Sequence, residues 1–326
     1  MPRDIYFLER RAGKWTRTMT EYEGSVVAVA DDETATYLLF KGHADTALYV
    51  MRRTHSGVDY PPRLLSDSGA YDGAITARDG RWWAVWSDSK PDNTMKLWQA
   101  GTLLGTRDAH PISTPALGDS YIHLGNGPRG RLVLVWQREL SELREGRRVA
   151  TIRVASTSDG RWSSRQLSAR GVSATAPSMT ADAKGVAVAW SEGARGGLVR
   201  LVRLRADGST WMRTWKMDWP AARLGGSSIS PVLGVPYGGD SQQPYHALLR
   251  PKGSGWVRHD VTVPWPGPEE NRSEGGMIYT EPIYFAHVLV RGAAITVIYL
   301  HSRSEDSGPE YGKDTSRFLS RSGRWS

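Results

Sequence analysis

Carboxylates and phenols gather at recurring places in this chain. They stand just before strands of small residues and just after apolar strands. Ahead of the small-residue strands come Glu21, Tyr22 and Glu23, then Asp67, Tyr71 and Asp72, then His110 and Asp119, then Tyr279 and Glu281. Behind the apolar strands come Asp88, Asp92, Glu139, Glu192, His301 and Arg303. Two carboxyl groups held about 5 to 9 Å apart across a glycosidic bond can cut it, one acting as acid and the other as base or nucleophile. Asp72, Glu192 and Glu281 are the acids set out for such work, with Tyr71 and Tyr279 beside them as further catalytic candidates. Asp88, His301 and Arg303 would bind a polar substrate. Trp219 and Trp265 each precede a proline in a loop, where an indole can stack on a sugar ring. The competing reading is structural, because acids and hydroxyls at turns also accept backbone N–H bonds.

The elements that would carry these residues repeat. One unit is a small-residue strand, a turn and an apolar strand ending in an aromatic, as in Tyr71-Asp-Gly-Ala-Ile-Thr-Ala77 with Arg81-Trp-Trp-Ala-Val-Trp86. Further copies are Ala176-Pro-Ser-Met-Thr-Ala181 with Gly185-Val-Ala-Val-Ala-Trp190, and Glu281-Pro-Ile-Tyr-Phe-Ala-His287 with Ala294-Ile-Thr-Val-Ile-Tyr299. A hairpin with a Gly turn follows most of them, as in Ala150-Thr-Ile-Arg-Val leading to Ser158-Asp-Gly-Arg-Trp162. The apolar strands centre near residues 38, 84, 134, 188 and 298, so the gaps are about 46, 50, 54 and 110. The last gap is double, which places one more unit around residues 225–268. Ser230-Pro-Val-Leu233 reads as its first strand, and Leu140–Gly146 reads as a loop.

Repeats that are all strand and turn predict an all-β fold, a six-bladed β-propeller of four-stranded antiparallel blades. Seven hairpins against six strand pairs keep seven blades as the alternative. Residues 1–326 form a single domain in this reading, with residues 1–19 closing the C-terminal blade. In such a blade, the turns into the first strand and out of the second share one face, which is where the acids and phenols lie.

Composition narrows the chemistry. The 326 residues contain no Cys, which excludes disulfides, thiolate metal sites and a Cys nucleophile. None of the eight His residues shows a close ligand spacing, and no metal or other cofactor is expected. No phosphate-cradling loop and no Gly-x-Ser-x-Gly elbow occurs. No apolar run reaches 18 residues, so no membrane partner is expected. The N-terminus lacks the apolar core of a signal peptide, which predicts a cytoplasmic protein or one whose signal has been removed. The net charge of +8 suits an anionic partner. Scattered Arg at alternate strand positions reads as a wet outer face, and nucleic acid is not expected.

Ser156-Thr-Ser-Asp-Gly-Arg-Trp162 and Arg205-Ala-Asp-Gly-Ser-Thr-Trp211 resemble the Asp-box (BNR repeat) of sialidase-like propellers, in shortened form. The Trp86-Ser-Asp88 and Trp190-Ser-Glu192 strand ends resemble the same superfamily. The resemblance implies that the boxed Asp and hydroxyl bond the turn backbone and that the Trp packs between blades. It also implies a carbohydrate ligand and, for an enzyme, a Tyr nucleophile partnered by Glu, for which Tyr71 or Tyr279 with Glu281 would serve. The early Arg-Ile-Pro signature of sialidases is absent. The expectation is a carbohydrate-recognising propeller, as an exo-sialidase-like hydrolase of an acidic glycan. The alternatives are a lectin-like module, a polysaccharide lyase or a protein-interaction scaffold. The expected partner is a glycan or other small polar ligand, with a protein partner in the scaffold case.

Overall fold

The runs that are apolar without alternation become the second strands of their sheets, bonded on both edges and covered on both faces. The computed structural model describes residues 4–11, 14–67, 70–89, 94–103, 109–144, 147–193, 198–216, 223–237, 245–252, 255–261, 277–280, 284–291, 294–306 and 312–324. They form two compact units, 1–173 and 174–326, each with three antiparallel sheets.

In the first unit, the first sheet runs β1 (Asp4–Arg11), β2 (Lys14–Asp31), β3 (Ala35–Gly42), β4 (Leu48–Thr54) and β5 (Arg63–Ser66). The second runs β6 (Ala70–Arg78), β7 (Arg81–Ser89), β8 (Met95–Gly101) and β9 (His110–Pro111). The third runs β10 (Gly118–Asn126), β11 (Leu132–Arg144), β12 (Arg147–Thr157) and β13 (Ser163–Gln166). The leading strand β6 packs beside both β2 and β10. The edge strands β5, β9 and β13 are short, which limits the unpaired backbone they present.

In the second unit, the fourth sheet runs β14 (Ala174–Asp182), β15 (Gly185–Glu192), β16 (Leu198–Arg205) and β17 (Thr210–Lys216). The fifth runs β18 (Arg223–Gly226), β19 (Pro231–Tyr237), β20 (Tyr245–Lys252) and β21 (Gly255–Val261). The sixth holds β22 (Met277–Thr280), β23 (Tyr284–Arg291), β24 (Ala294–Asp306) and β25 (Gly312–Arg324). There β24 pairs with β25 along one edge, and on the other with β23 in its first half and β22 in its last residues. The leading strand β18 packs beside β14 and β23.

Three readings of the sequence are corrected. The first sheet has five strands instead of four, because the 18-residue β2 pairs with β1 through its first half and with β3 through its second. Pro231–Tyr237 is the second strand of its sheet; the first is the short Arg223–Gly226, whose glycines hid it from a search for apolar runs. Leu140–Arg144 is strand, not loop, since β11 and β12 resume pairing at Leu143↔Arg148 beyond a bulge.

The cores follow the strand pattern. Ala35, Tyr37, Leu39, Trp82, Ala84 and Trp86 pack between the first and second sheets, and Trp83, Val85, Leu132, Leu134 and Trp136 between the second and third. In the second unit Ala187, Ala189, Leu201 and Leu233 form the equivalent layer. Each buried Leu-sized side chain contributes about 1.5–3 kcal/mol. The third-to-fourth strand turns carry Gly57, Gly160 and Gly208 at φ near +90° (92°, 90° and 88°), a conformation that disfavours side chains.

Candidate functional site

The leading strands β2, β6, β10, β14 and β23 are not regular. Each carries a break in register, between Val26 and Ala28, Ala70 and Asp72, Ser120 and His123, Thr175 and Ser178, and Phe285 and His287. A bulge adds a residue, bends the strand and re-aims side chains. Tyr121 and Ala176 take positive φ (both 51°) at two of these breaks. The bulges lie toward the same end of each sheet, the end where the second strand finishes: Ala70 faces Asp88, Gly118 faces Glu139, and Ala174 faces Glu192.

Two bulges expose tyrosines. Tyr71 is 61% exposed and Tyr121 is 45% exposed. Asp72, which follows Tyr71, ties the two strands together. Its Oδ2 accepts the backbone N–H of Ile122, the residue after Tyr121, at 3.1 Å. Its Oδ1 accepts the Gly73 N–H at 2.7 Å. From the first sheet, Lys41 Nζ donates to the Tyr71 carbonyl at 3.2 Å, which brings a cation to the backbone of this bulge. Asp88 lies at the same sheet end and accepts a bond from Ser66 Oγ at 2.8 Å. Two wet phenols, two carboxylates and an ammonium therefore share the bulged ends of β6 and β10 and their surroundings.

Deeper in the sheets, carboxylates meet indoles. Asp119 is fully buried: Trp136 Nε1 donates to its Oδ1 at 3.1 Å and Ser113 Oγ to its Oδ2 at 3.3 Å, and Arg138 Nε lies 4.0 Å away. Burial pushes the Asp119 carboxyl up to about 6, against the opposing pull of Arg138 and the two hydrogen bonds. Arg138 also donates to the Thr114 and Pro115 carbonyls, fixing the approach to β10. In the fourth sheet Glu192 is 2% exposed, with Trp190 Nε1 donating to Oε1 at 2.9 Å and Arg200 Nε to Oε2 at 2.7 Å. Trp136 and Trp190 occupy matching positions in β11 and β15, so the same indole-to-carboxylate latch is built twice, with the acid drawn from different strands.

At the opposite sheet end the bonding staples sheets together. Asp32 Oδ1 caps its own turn at Thr34 and Ala35, while Oδ2 accepts the Gly80 N–H of the second sheet at 2.8 Å. Asp182 does the same to the Ser228 N–H of the fifth sheet at 2.8 Å. In the hairpin turn at 156–162, Asp159 accepts the Arg161 N–H at 3.0 Å and Thr157 Oγ1 the Gly160 N–H at 2.8 Å. Trp162 Nε1 donates to Gln99 Oε1 of the second sheet at 2.6 Å. The turn carboxylate and hydroxyl thus hold the turn, and the Trp holds the neighbouring sheet.

Of the residues singled out in the sequence, Tyr71, Asp72 and Asp88 come together at one end of the second sheet. Glu192 sits at the corresponding end of the fourth. In the sixth, the backbone register sets Tyr279 opposite Ser304 and Thr280 opposite Arg303, with His301 opposite Arg317. Glu281, Trp219 and Trp265 lie outside the described residues. Tyr121, in β10, was not singled out in the sequence. Among the described residues no group of three or more His, Cys, Asp or Glu is arranged to hold a metal ion.

No family model matches the chain, and no curated protein sequence matches it. Solved structures do. A protein of unknown function from Dyadobacter fermentans DSM 18053 is 14% identical, with a TM-score of 0.53 over 93% of this chain and 96% of that one. A subtype N10 neuraminidase-like protein of A/little yellow-shouldered bat/Guatemala/060/2010 is 11% identical, with a TM-score of 0.50 over 91% and 94%. An ulvan lyase of a new polysaccharide lyase family, bound to -[GlcA(1-4)Rha3S]-, is 11% identical, with a TM-score of 0.53 over 89% and 83%. At such identities the likeness establishes architecture. The fold is a β-propeller.

Proposed function

We propose that this protein recognises carbohydrate and binds an acidic glycan at the bulged ends of β6 and β10. The observation that carries the reading is the pair of exposed phenols, Tyr71 and Tyr121, on adjacent strands tied by the Asp72–Ile122 bond. Aromatic rings offer flat apolar surface to the C–H faces of a pyranose, while nearby carboxylate and ammonium groups bond its hydroxyls. The net charge of +8 favours an anionic chain over a neutral one. The fold's likeness to a neuraminidase-like protein and to a lyase bound to a uronic-acid sugar supports the same ligand class.

Hydrolysis is the second reading, favoured by Tyr71, Asp72 and Asp88 at one sheet end. In it Asp72 and Asp88 supply the carboxyl pair and Tyr71 the phenol. Within the second unit Tyr279, Glu281, His301 and Arg303 are separate candidates, and Trp219 and Trp265 are stacking candidates of their own. Glu192 enters as a structural acid, since both its oxygens already accept bonds.

The test is a panel of neutral, uronic, sulfated and sialylated glycans, read by thermal shift and by product analysis, with and without divalent metal. Stabilisation without product identifies a binding module. Stabilisation with new reducing ends identifies a hydrolase, and product that absorbs in the ultraviolet identifies a lyase. No stabilisation by any glycan overturns the carbohydrate reading in favour of a protein-binding surface.

A further inference from the structure

One face of the fourth sheet carries a cluster of positive charge around an indole. Arg203 pairs with Trp211 across β16 and β17, and Leu201 pairs with Arg213, so Arg203, Arg205, Trp211 and Arg213 share that face. The Arg203 Cζ lies 4.9 Å from the Trp211 ring centroid and the Arg213 Cζ lies 5.3 Å from it. Such contacts hold the guanidinium groups but leave their N–H donors free to bond elsewhere. Arg203 Nε and Nη2 are buried and donate to nothing. These two atoms form one edge of the guanidinium, the fork that binds an oxyanion with two parallel hydrogen bonds.

The surroundings sharpen the point. Among the described residues no carboxylate lies within ion-pair distance of Arg203, Arg205 or Arg213. Asp207 is the acid that feels Arg205, and its Oδ1 is taken by the Ser209 N–H at 2.8 Å. Burial first, and then the like charges of Arg205 and Arg213, disfavour the charged form of Arg203. A buried donor left unbonded is costly, and crowding three like charges adds to that cost. Arg205 is exposed and Arg213 half-buried, so both keep contact with solvent.

We propose that Arg203, with Arg213 and Arg205, forms an oxyanion site on the β16–β17 face, and that its ligand is the sulfate or carboxylate group of an acidic polysaccharide. The anion takes the Nε–Nη2 fork of Arg203, and its charge relieves the repulsion among the three guanidinium groups. Trp211 fixes the fork's orientation. The site uses none of the residues at the bulged ends of β6 and β10 and stands or falls separately from them.

The experiment compares wild type with Arg203→Gln, Arg213→Gln and, as a charge-matched control, the exposed Arg165→Gln. Thermal shift at low ionic strength is followed on adding inorganic sulfate, and affinity is measured for dextran sulfate against unmodified dextran. The expected result is stabilisation of wild type and Arg165→Gln by sulfate, and a loss of affinity for dextran sulfate of about tenfold in Arg203→Gln, one charged hydrogen-bonding group's worth. Arg213→Gln is also expected to melt above wild type in the absence of anion, because a like charge beside Arg203 is gone; a poorly folded variant could not give that sign. Sulfate stabilisation that is absent in wild type, or equal in wild type and Arg203→Gln, overturns the site. Binding of single-stranded DNA more tightly than dextran sulfate overturns the polysaccharide assignment.

Discussion

Asp72 reaches from the second sheet to the third, where its Oδ2 accepts the Ile122 N–H at 3.1 Å. The acceptor follows the bulge at Tyr71 and the donor follows Tyr121, so a single bond sets the spacing of two exposed phenols. Asp72 was read from sequence as a catalytic acid. Its bonding gives it a positioning task as well, and the two are separable by substitution.

Replacing Asp72 by Ala is expected to cost about 1–3 kcal/mol, because the Ile122 N–H loses its partner at a half-buried point. Asp72→Asn keeps one acceptor oxygen, enough for the Ile122 N–H but not also for the Gly73 N–H, and is expected to recover part of that loss. Urea unfolding of the three proteins checks this. If Asn restores stability and glycan affinity but not turnover, the carboxylate is chemical; if Asn restores all three, it is positional.

The indole-to-carboxylate latch at Glu192 makes a second prediction. Glu192→Ala leaves the buried Trp190 N–H without its acceptor and takes the carboxylate from Arg200, which keeps its bond to Thr214, so the cost is about 1–3 kcal/mol. Glu192→Gln is expected to cost clearly less, because the amide oxygen still accepts the Trp190 N–H. Denaturant midpoints with unchanged m-values would verify the order.

Asp119 predicts a pH dependence. Its folded value is pushed up to about 6 by burial, above the ordinary carboxylate value near 4. The folded state thus favours the protonated form. The stability this confers is complete below about pH 4, declines as pH rises toward about 6, and is gone above it; the total is on the order of 2–3 kcal/mol. Asp119→Asn keeps an oxygen for the Trp136 N–H and removes the slope. Unfolding free energies measured between pH 4 and pH 7 would test it. An equal slope in wild type and Asp119→Asn would contradict the assignment.

The architecture was readable because its signals are local and periodic. Runs such as Trp82–Trp86 and Val186–Trp190 are apolar without alternation, which only a strand covered on both faces requires. The misplaced first strand of the fifth sheet shows the limit: Arg223–Gly226 has one apolar side chain, Leu224, and holds its place through pairing with β19. The acids were found by position but not by task. Asp72, Asp88 and Glu192 all end or begin strands, yet whether an oxygen faces solvent, an indole or a neighbour's amide depends on bulges that add one residue without a sequence mark. Tyr121 and Ala176 adopt positive φ with ordinary side chains, and no glycine announces either bend.

The most direct test of the glycan site is the affinity of an acidic oligosaccharide for wild type, Tyr71→Ala, Tyr121→Ala and the double variant, by isothermal titration calorimetry. Both phenols are exposed, so melting temperatures should move little, with stability within about 0.5 kcal/mol of wild type. Each single change is expected to weaken binding about threefold to tenfold, an aromatic contact's worth, and the double change to weaken it further. Affinity that survives the double substitution in a fully folded protein would contradict the assignment of the glycan site to the bulged ends of β6 and β10.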